Sequence, residues 1–375
     1  MKIEIIIDQA YSTFVKEKLN IEYWEKNYEI VILNVRNLFF RDLNIHNITS
    51  EFHIEFENKK EFKEYIKTSS SDITLLLLRY PTSELINFLT KNKRLTYILL
   101  MNYLPSTILK QRFKRLLIKI NTNLSIFGVK KLFHKLLIKN KIKKEKINGI
   151  VLFGGDDGIN QFKHLIGKST KIIQSYSTDA ELLKNNSKIN NIYNSKEKIA
   201  IFIDQAFPDH PDIIELGLIL NKNIYYQRLN NFFAYLENSY GFKVLIMGHP
   251  RYKYMSNPFN KREIIYGKTM EYSRISDLIV TFSSTAISFG IMLKKNIVLL
   301  STNKLLRNHH DILSIQSYLN CQVINLSEKK FPQIKKNISN EMYSNYEKLF
   351  IGDYKNIKSM WSPLIEEIDR ISQSK

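Results

Sequence analysis

The sequence contains little cysteine, glycine or proline. One cysteine, Cys321, among 375 residues excludes a disulfide scaffold and a cysteine-rich metal site, and it fits a reducing compartment. Glycine (12 positions) and proline (8 positions) are too few for a linker-dominated chain. With 44% hydrophobic and 25% charged residues the composition is that of a globular protein, and the length accommodates two domains of about 150 residues each.

Long apolar runs are also missing. No window of about 18 apolar residues predicts a transmembrane helix, and the apolar run within MKIEIIIDQA at the start is too short for a secretory signal. We therefore expect a cytoplasmic protein. Peripheral attachment to the inner face of the cytoplasmic membrane is expected if the basic segment described below binds lipid.

Acidic residues are scarce relative to basic ones. The chain has 56 Lys and Arg against 36 Asp and Glu, which gives a formal net charge of +20. Such an excess predicts an anionic partner, and a phosphorylated ligand, an anionic membrane surface and nucleic acid all fit the charge. Nucleic acid is the least favoured of the three, because no recognition motif accompanies the basic residues.

The positive charge is densest in residues 106–146. This segment contains thirteen Lys or Arg and a single acid, Glu145. Apolar residues recur at helical spacing in both halves, which predicts two basic amphipathic helices. Two interpretations stay open. The helices are ordinary surface helices with a solvated charged face, or they dock on anionic lipid, where each basic residue contributes about 1 kcal/mol.

Apolar strand patterns alternate with helical patterns along the chain. In the first half, runs such as Lys2–Ile7 and Ile73–Leu78 indicate strands buried on both faces. In the second half, Lys243–Met247, Leu278–Phe282 and Asn296–Leu300 do the same. This alternation predicts an α/β fold with a parallel sheet in each half and ligand sites at the carboxyl ends of the strands. The predicted regions are an N-terminal lobe (1–185), a C-terminal lobe (196–340) and C-terminal helices (341–375) that pack back on the N-terminal lobe.

A glycine-rich turn, Gly154–Gly158, separates a predicted strand from a predicted helix. It places two carboxylates, Asp156 and Asp157, at the end of the strand, where the glycines let the backbone approach a ligand closely. These two residues are the first catalytic candidates. The alternative is that an aspartate simply caps the helix in a tight turn.

A second acidic loop follows the predicted strand Ile199–Ile203. Asp204 ends the strand, and Asp209 and His210 lie a few residues further on. Open α/β sheets bind their ligands at this end of the strands, so all three residues are candidates for the functional site.

The strand Lys243–Met247 is followed by a glycine and then by His249. The imidazole of His249 can reach a phosphate from this position, Pro250 fixes the turn, and Arg251 adds positive charge. The alternative is that His249 is an ordinary loop histidine whose ring is satisfied locally.

The strand Leu278–Phe282 is followed by three hydroxyl side chains, Ser283, Ser284 and Thr285. A predicted helix begins directly after them, so the hydroxyls and the backbone N–H groups of the helix start converge on one place suited to an anion. Glu271, about a turn before this strand, is placed to accept from ribose hydroxyls. The alternatives are a simple helix cap for the serines and a solvated helix position for Glu271.

The sequence offers no metal motif. Of the eight histidines, His309 and His310 are adjacent, and no pair has the HxxxH or HxH spacing with acids that a zinc site needs. The GKST sequence at Gly167–Thr170 lacks the upstream glycine of a phosphate loop. We therefore expect no metal and no cofactor.

The ordered motifs resemble those of a known family. Asp156-Asp157-Gly158, His249-Pro250 and Ser283-Ser284-Thr285 resemble the D/E-D/E-G, HP and SS/ST motifs of bacterial sialyltransferases of the GT-B architecture, in which two Rossmann-like lobes with parallel sheets face a cleft. The run from Ile199 to Thr302, with FIDQAFPDHPD, GHPRY and FSSTAISFGIMLKK, also resembles proteins encoded in bacterial surface-polysaccharide clusters.

The resemblance implies a metal-independent glycosyltransferase. The donor would be a nucleotide-sugar, with a CMP-activated acidic sugar such as sialic acid as the best single expectation, and the acceptor a surface glycan or a lipid-linked glycan. Asp156 would be the general base for the acceptor hydroxyl, and His249 with Ser283-Ser284 would hold the donor phosphate. The nucleotide-sugar would then be a substrate in the C-terminal lobe, and the acceptor would bind in the N-terminal lobe. Asp156 would face His249 and Ser284 across the cleft.

Two kinds of alternative remain at this point. The Phe-Gly-Gly lead into Asp156 departs from the family pattern, so Asp204, Asp209 and His210 are held as reserve candidates. A UDP-sugar transferase or epimerase on the same scaffold is the first rival function. A noncatalytic assembly protein that binds membrane or nucleic acid through its basic charge is the second.

Overall fold

The computed structural model describes residues 1–8, 11, 15–16, 19–39, 52–78, 83–92, 94–101, 104–105, 147–163, 165–186, 197–209, 220–250, 252–308, 311–336 and 338–374. Several features named above lie outside these ranges: the basic segment 106–146, His210, Arg251, His309 and His310. Within them, no helix is both long enough and apolar enough to cross a membrane.

The first lobe contains a seven-stranded parallel sheet. Its strands are β1 (Lys2–Ile7), β2 (Glu29–Asn34), β3 (His53–Glu55), β4 (Ile73–Leu77), β5 (Thr96–Met101), β6 (Gly149–Phe153) and β7 (Lys171–Ser175). Every residue of β4 and β6 is buried, because elements pack on both faces of the sheet. The strand order is β3-β2-β1-β4-β5-β6-β7. The first three strands are added toward one edge of the sheet and the later ones toward the other edge, so the strand order reverses between β1 and β4.

Helices connect these strands. They are α1 (Ile21–Asn27), α2 (Arg36–Phe39), α3 (Lys59–Thr68), α4 (Ser83–Lys91), α5 (Asp157–Phe162) and α6 (Thr178–Asn185). Side-chain caps fix two of the starts. Asn58 accepts from the backbone N–H groups of Lys60 and Glu61 at 3.0 Å each, and Ser177 accepts from Ala180 at 3.3 Å.

The second lobe repeats this plan with a six-stranded parallel sheet. Its strands are β8 (Lys198–Ile203), β9 (Phe242–Met247), β10 (Ile264–Ile265), β11 (Leu278–Thr281), β12 (Asn296–Ser301) and β13 (Gln322–Asn325). The order is β10-β9-β8-β11-β12-β13, the same arrangement as the first six strands of the first lobe. The predicted α/β fold with one parallel sheet in each half is confirmed.

The helices of the second lobe are α7 (Lys222–Tyr240), α8 (Thr269–Ile275), α9 (Ile287–Met292), α10 (Asn303–Asn308) and α11 (Asp311–Leu319). A single 3-10 turn, Phe207–Asp209, follows β8. Helix α7 begins at the cap Asn221 and ends at Gly241, whose φ of 68° suits only glycine well. It buries Leu229, Phe232, Phe233 and Leu236 against the sheet, as the spacing of these residues predicts.

The C-terminal helices are interrupted. Helix α12 (Asn340–Tyr346) continues into one π-helical turn (Glu347–Ile351), which ends at Gly352 with φ 92°. Helix α13 (Ser362–Gln373) then starts with a proline in its first turn. We call residues 340–351 the crossing segment, because they contact both lobes.

Helix α13 packs on the first lobe. The ring of Trp361 lies 5.4 Å from that of Trp24 and 4.8 Å from that of Phe153, with both tryptophans buried. The hydroxyl of Tyr97 donates to Glu367 at 3.1 Å. The end of the chain therefore belongs to the core of the first lobe. The boundaries predicted near residues 185 and 196 flank a stretch, 187–196, outside the described residues, and they stay a prediction.

Candidate functional site

Three strands of the second sheet end beside one another at its carboxyl edge. The order β9-β8-β11 places His249, which follows β9, and Ser283, which follows β11, on either side of Asp204, which follows β8. Neighbouring strands lie about 4.8 Å apart, so the ends of β9 and β11 are about 10 Å apart. The two predicted phosphate-binding stretches therefore share one edge, at the point where the strand order reverses.

Asp204 is a buried carboxylate with both oxygens engaged. Its Oδ1 accepts from the backbone N–H of Ala206 at 2.9 Å, and its Oδ2 accepts from the hydroxyl of Tyr254 at 2.6 Å. Burial raises the pKa of Asp204 to about 6, against the lowering effect of these hydrogen bonds. The local fold uses Asp204 to shape the loop after β8, in which Ala206 has a left-handed φ of 46°.

Asp209 is held in the same way from the other end of this loop. Its Oδ2 accepts from the hydroxyl of Tyr252 at 2.7 Å, and its Oδ1 pairs with the Lys222 ammonium at 2.6 Å. Burial alone would raise its pKa, but the bonds from Lys222 and Tyr252 hold that pKa below the ordinary value. Both described reserve candidates are therefore bonded to tyrosines of the loop after His249.

The loop that carries His249 is closely packed at its start. A Cβ on Gly248 would lie 2.5 Å from the ring of Tyr266, so only glycine fits before His249. The ammonium of Lys253 lies 3.6 Å from the centre of that ring. His249 is half-buried, its carbonyl accepts from the backbone N–H of Tyr252 at 3.1 Å, and Pro250 is exposed.

The three hydroxyl residues after β11 have different environments. Ser283 is buried, and its backbone N–H donates to the side-chain oxygen of Gln205 at 2.8 Å. The hydroxyl of Ser284 accepts from the backbone N–H of Ala286 at 3.3 Å, as in the capping alternative. Thr285 is exposed. Gln205 thus joins the loop after β8 to the loop after β11.

Glu271 lies in the first turn of α8 and is half-buried. Among the described residues it has no hydrogen-bond or ion-pair partner. Its role toward a ribose stays a prediction.

The turn after β6 lies under the crossing segment. A Cβ on Gly155 would fall 2.2 Å from the carbonyl oxygen of Lys348, and the backbone N–H of Asp156 donates to that oxygen at 3.1 Å. The Asp156 side chain is exposed, and its Oδ1 accepts from the amide of Gln174 at 2.8 Å. Asp157 accepts from the amide of Gln161 at 3.0 Å within α5.

Asp156 and Thr285 contact different faces of the crossing segment. Asp156 lines a cavity of about 590 Å³ together with Ser344, Glu347 and Lys348 of that segment. Thr285 lines a small crevice together with Tyr346, Phe350 and Ile351 of the same segment. The predicted facing of Asp156 toward His249 and Ser284 across the cleft stays a prediction.

The lobes touch through the residues that follow their strands. The hydroxyl of Ser288, in α9 after β11, donates to the carboxylate of Asp179, in α6 after β7. Arg274 donates to the carbonyl oxygens of Leu183 and Asn186 at 2.9 and 3.3 Å. Burial and the charge of Asp157 in the first lobe raise the pKa of Tyr318 in the second. The carboxyl edges of the two sheets therefore face each other.

Sequence reasoning missed the residues that bind these loops together: Gln205, Tyr252 and Tyr254. A signal for Gln205 was present in the sequence. The sequence IDQA followed by an aromatic residue occurs twice, at 7–11 and at 203–207, each time starting at the last residue of the first strand of a lobe. Among the described residues, no cluster of three or more His, Cys, Asp or Glu is arranged to hold a metal ion.

No protein-family model and no curated protein matches the chain. Solved structures do match. The alignment with the wall teichoic acid polymerase TagF covers 100% of this chain and 89% of the TagF chain, with a TM-score of 0.54 and 13% sequence identity. The alignment with UGT2 of Phytolacca americana, in complex with UDP-2-fluoro-glucose and pterostilbene, covers 99% of this chain and 100% of the UGT2 chain. The TM-score is 0.53 and the sequence identity is 8%. The alignment with the UDP-GlcNAc 2-epimerase of Methanocaldococcus jannaschii, in complex with UDP-GlcNAc and UDP, covers 100% of this chain and 100% of the epimerase chain. The TM-score is 0.52 and the sequence identity is 14%.

At such low identity the likeness concerns the fold alone. Together with the two parallel sheets and their facing carboxyl edges, it shows that the chain has a GT-B-like fold. The predicted fold class is confirmed. None of these three proteins is described as a sialyltransferase, so that part of the resemblance stays a prediction.

Proposed function

We propose that the protein is a glycosyltransferase that uses a nucleotide-sugar donor. The observation that carries the proposal is the convergence of His249 and Ser283-Ser284-Thr285 on one edge of the second sheet, at its strand-order reversal, within a GT-B-like fold. Enzymes of nucleotide-sugar chemistry are among the structures that share this fold. The net charge of +20 suits an anionic donor.

In the proposed mechanism the donor phosphate lies between the two loops. The imidazole of His249 and the hydroxyls of Ser283-Ser284, with Thr285 beside them, donate to it and stabilise the negative charge that grows as the sugar leaves. Asp156 of the first lobe accepts the proton of the acceptor hydroxyl through its Oδ2, while Gln174 orients the carboxylate through Oδ1. His, Ser, Thr and backbone groups suffice for this chemistry, so the proposal contains no metal or cofactor.

The donor in this proposal is a CMP-activated acidic sugar, on the strength of the three sialyltransferase-like motifs. A UDP-sugar is the second candidate. It is favoured by the neighbours, two of which were solved with UDP-sugars bound. The same neighbours make a UDP-sugar 2-epimerase the alternative reaction on this scaffold.

The acceptor in this proposal is a surface glycan or a lipid-linked glycan. Residues 106–146 would keep the enzyme beside a lipid-linked acceptor through their basic charge. Flotation of the protein with vesicles of phosphatidylglycerol and phosphatidylcholine checks this role. Equal flotation with pure phosphatidylcholine vesicles would contradict it.

Isothermal titration with CMP, UDP, GDP and ADP tests the donor site. We expect one nucleotide to bind, and we expect His249→Ala to weaken its binding about tenfold or more through loss of one charge-assisted hydrogen bond. The matched control is His53→Ala, a half-buried histidine of the first lobe that stacks on Tyr11. No binding of any nucleotide by the wild type would refute the proposal.

Transfer is measured with the nucleotide-sugar of the base that binds. Asp156→Asn should abolish transfer while nucleotide affinity stays unchanged, since the base acts only on the acceptor. Full activity of this variant would exclude Asp156 as the base. Release of an epimerised sugar without transfer would favour the alternative reaction.

A further inference from the structure

The carboxyl ends of β9, β8 and β11 are in register with one another. Met247 of β9 pairs with Ile203 of β8, and Ile203 pairs with Thr281 of β11. Two positions beyond these paired residues, the chain places three others in the same order along the carboxyl edge: His249, Gln205 and Ser283. The donor site proposed above uses both ends of this row and gives the residue in the middle no role.

Gln205 follows the central strand of the three. Because neighbouring strands lie about 4.8 Å apart, the end of β8 is about that far from the ends of both β9 and β11. A phosphate that contacts both His249 and Ser283 therefore lies over the end of β8. The half-buried side chain of Gln205 leaves the backbone at this place.

The amide of Gln205 has a defined orientation. The backbone N–H of Ser283 donates to its Oε1 at 2.8 Å. Since a backbone N–H can only donate, the amide oxygen faces Ser283 and the NH₂ group points away from it. Among the described residues, this nitrogen has no hydrogen-bond acceptor. Gln205 thus takes up one backbone donor of the loop after β11 and leaves two N–H groups of its own for a ligand.

The backbone on both sides of Gln205 is held in place. The N–H of Asp204 donates to the carbonyl oxygen of Met247 at 3.0 Å, and the carbonyl oxygen of Ala206 accepts from the N–H of Asp209 at 2.8 Å. Ala206 has a φ of 46°, a left-handed conformation that is uncommon for a residue other than glycine and that gathers at functional sites. The amide is therefore positioned before any ligand binds, as an effective donor to a growing charge must be.

The charges around Gln205 explain why an amide suits this position. Both oxygens of the buried Asp204 already accept hydrogen bonds, from Ala206 and from Tyr254. An ammonium in place of the amide would pair with this carboxylate, because opposite charges at such a distance attract strongly where water is excluded. A neutral amide donates to a phosphate without forming that pair.

We propose that Gln205 is a further ligand of the donor phosphate, to which its amide nitrogen donates from between His249 and Ser283. The inference rests on the proposed function, because it concerns the leaving group of that reaction. It gives Gln205 a second contact besides its bond to Ser283. The amide N–H groups stabilise the phosphate oxygen on which negative charge grows as the sugar leaves.

Two variants separate this contact from the bond to Ser283. Gln205→Glu keeps an oxygen for the Ser283 N–H but replaces the amide nitrogen by a carboxylate oxygen, which repels a phosphate. Gln205→Ala removes both contacts without adding charge. The matched control is Gln322→Glu, at the first residue of β13 and hence at the opposite edge of the same sheet. Its Oε1 also accepts from a backbone N–H, that of Lys335 at 3.0 Å.

Isothermal titration with CMP, UDP, GDP and ADP measures the affinity of each variant for nucleotide. For the nucleotide that binds the wild type, we expect the Kd to rise about tenfold in Gln205→Ala, through loss of a hydrogen bond to a charged group. In Gln205→Glu it should rise about a hundredfold, because like charges are then brought together. Gln322→Glu should bind as the wild type does.

The nucleosides cytidine, uridine, guanosine and adenosine show whether the effect acts through the phosphate. Their binding is followed by saturation-transfer difference NMR, and it should be the same in the wild type and in both Gln205 variants. A nucleoside signal that falls together with nucleotide affinity would overturn the inference, because the amide would then only hold the loops together. Urea unfolding shows that each variant is folded.

The failure of this inference is distinct from the failure of the proposed function. If His249→Ala weakens nucleotide binding and Gln205→Ala does not, Gln205 is no phosphate ligand and the donor site stands without it. If the wild type binds none of the four nucleotides, the proposed function is refuted, and the inference about Gln205 falls with it.

Discussion

The hydroxyl of Tyr254 donates a hydrogen bond of 2.6 Å to the buried carboxylate of Asp204, fifty positions earlier in the chain. With the Tyr252–Asp209 bond of 2.7 Å, it binds the loop that carries His249 to the loop after β8. Gln205 binds that same loop to Ser283 at 2.8 Å. The loop after β8 therefore fixes the separation between the two stretches proposed to hold the donor phosphate.

Tyr254→Phe should destabilise the protein by about 1–3 kcal/mol, because it leaves a buried carboxylate oxygen without its donor. We also expect the Kd for the bound nucleotide to rise by up to about tenfold, since His249 is no longer held in position. Urea unfolding and isothermal titration measure the two effects.

Tyr235→Phe is the control for this variant. It removes an exposed hydroxyl that donates to the carbonyl oxygen of Pro332 at 3.1 Å, far from the donor edge. Its cost should be below about 1 kcal/mol, with nucleotide affinity unchanged. Equal nucleotide affinity in Tyr254→Phe and Tyr235→Phe would show that the tyrosine has no positioning role.

The carboxyl group of Asp204 should make stability depend on pH. Burial raises its pKa from 3.8 to about 6, so the folded protein binds this proton more tightly than the unfolded chain does. The contribution of Asp204 to the free energy of unfolding is fully present below the pKa that its carboxyl group has in the unfolded chain. It is lost as the pH rises through about 6, and its size is about 3 kcal/mol. Asp204→Asn cannot ionise, so the variant should gain stability relative to the wild type across this interval.

Urea unfolding over a series of pH values measures the difference. Asp209→Asn is the informative comparison, because bonds from Lys222 and Tyr252 lower the pKa of Asp209 against the effect of its burial. The contribution of Asp209 to the free energy of unfolding therefore has the opposite pH dependence, and it is lost as the pH falls below the ordinary pKa of an aspartate. Parallel curves for wild type and Asp204→Asn would contradict the assignment.

Local sequence patterns were sufficient for the strands but not for the contacts between loops. The continuous apolar runs of Lys2–Ile7 and Asn296–Leu300 predict strands within one residue of those observed, since burial on both faces leaves a strong signal. Short edge strands such as β10, with two residues, carry too little pattern to be found. The Tyr254–Asp204 pair depends on β8 and β9 being neighbours, which no local pattern encodes.

The turn at Gly154–Gly158 shows the same division. Its position after a strand follows from the sequence, but the reason for the glycine at position 155 is the crossing segment, which lies almost two hundred positions later. The facing of Asp156 toward His249 and Ser284 stays a prediction for that reason. Its outcome depends on residues 340–351, whose break into a π-helical turn at Glu347–Ile351 is not visible as a local signal.

Contact between the lobes should weaken in Ser288→Ala. The variant removes the hydroxyl that donates to Asp179, a bond to a charged acceptor that spans the two lobes. We expect hydrogen exchange of the α6 amides to accelerate by about tenfold, equivalent to 1.4 kcal/mol. Ser317→Ala is the control, because its hydroxyl donates at 2.7 Å to Ser314 within one helix of the second lobe. Identical exchange in both variants would exclude a role for this bond in lobe contact.

Gly155→Ala should be the most destabilising conservative change in the turn after β6. The added Cβ would lie 2.2 Å from the carbonyl oxygen of Lys348 and 2.3 Å from the carbonyl carbon of Leu349, and both are backbone atoms that cannot rotate away. We expect a loss of about 3 kcal/mol or more, because the crossing segment must move off the turn. Gly167→Ala is the matched control, since its Cβ would meet only a side-chain oxygen at 3.3 Å. Thermal unfolding compares them, and equal melting temperatures would mean that the crossing segment does not rest on Gly155.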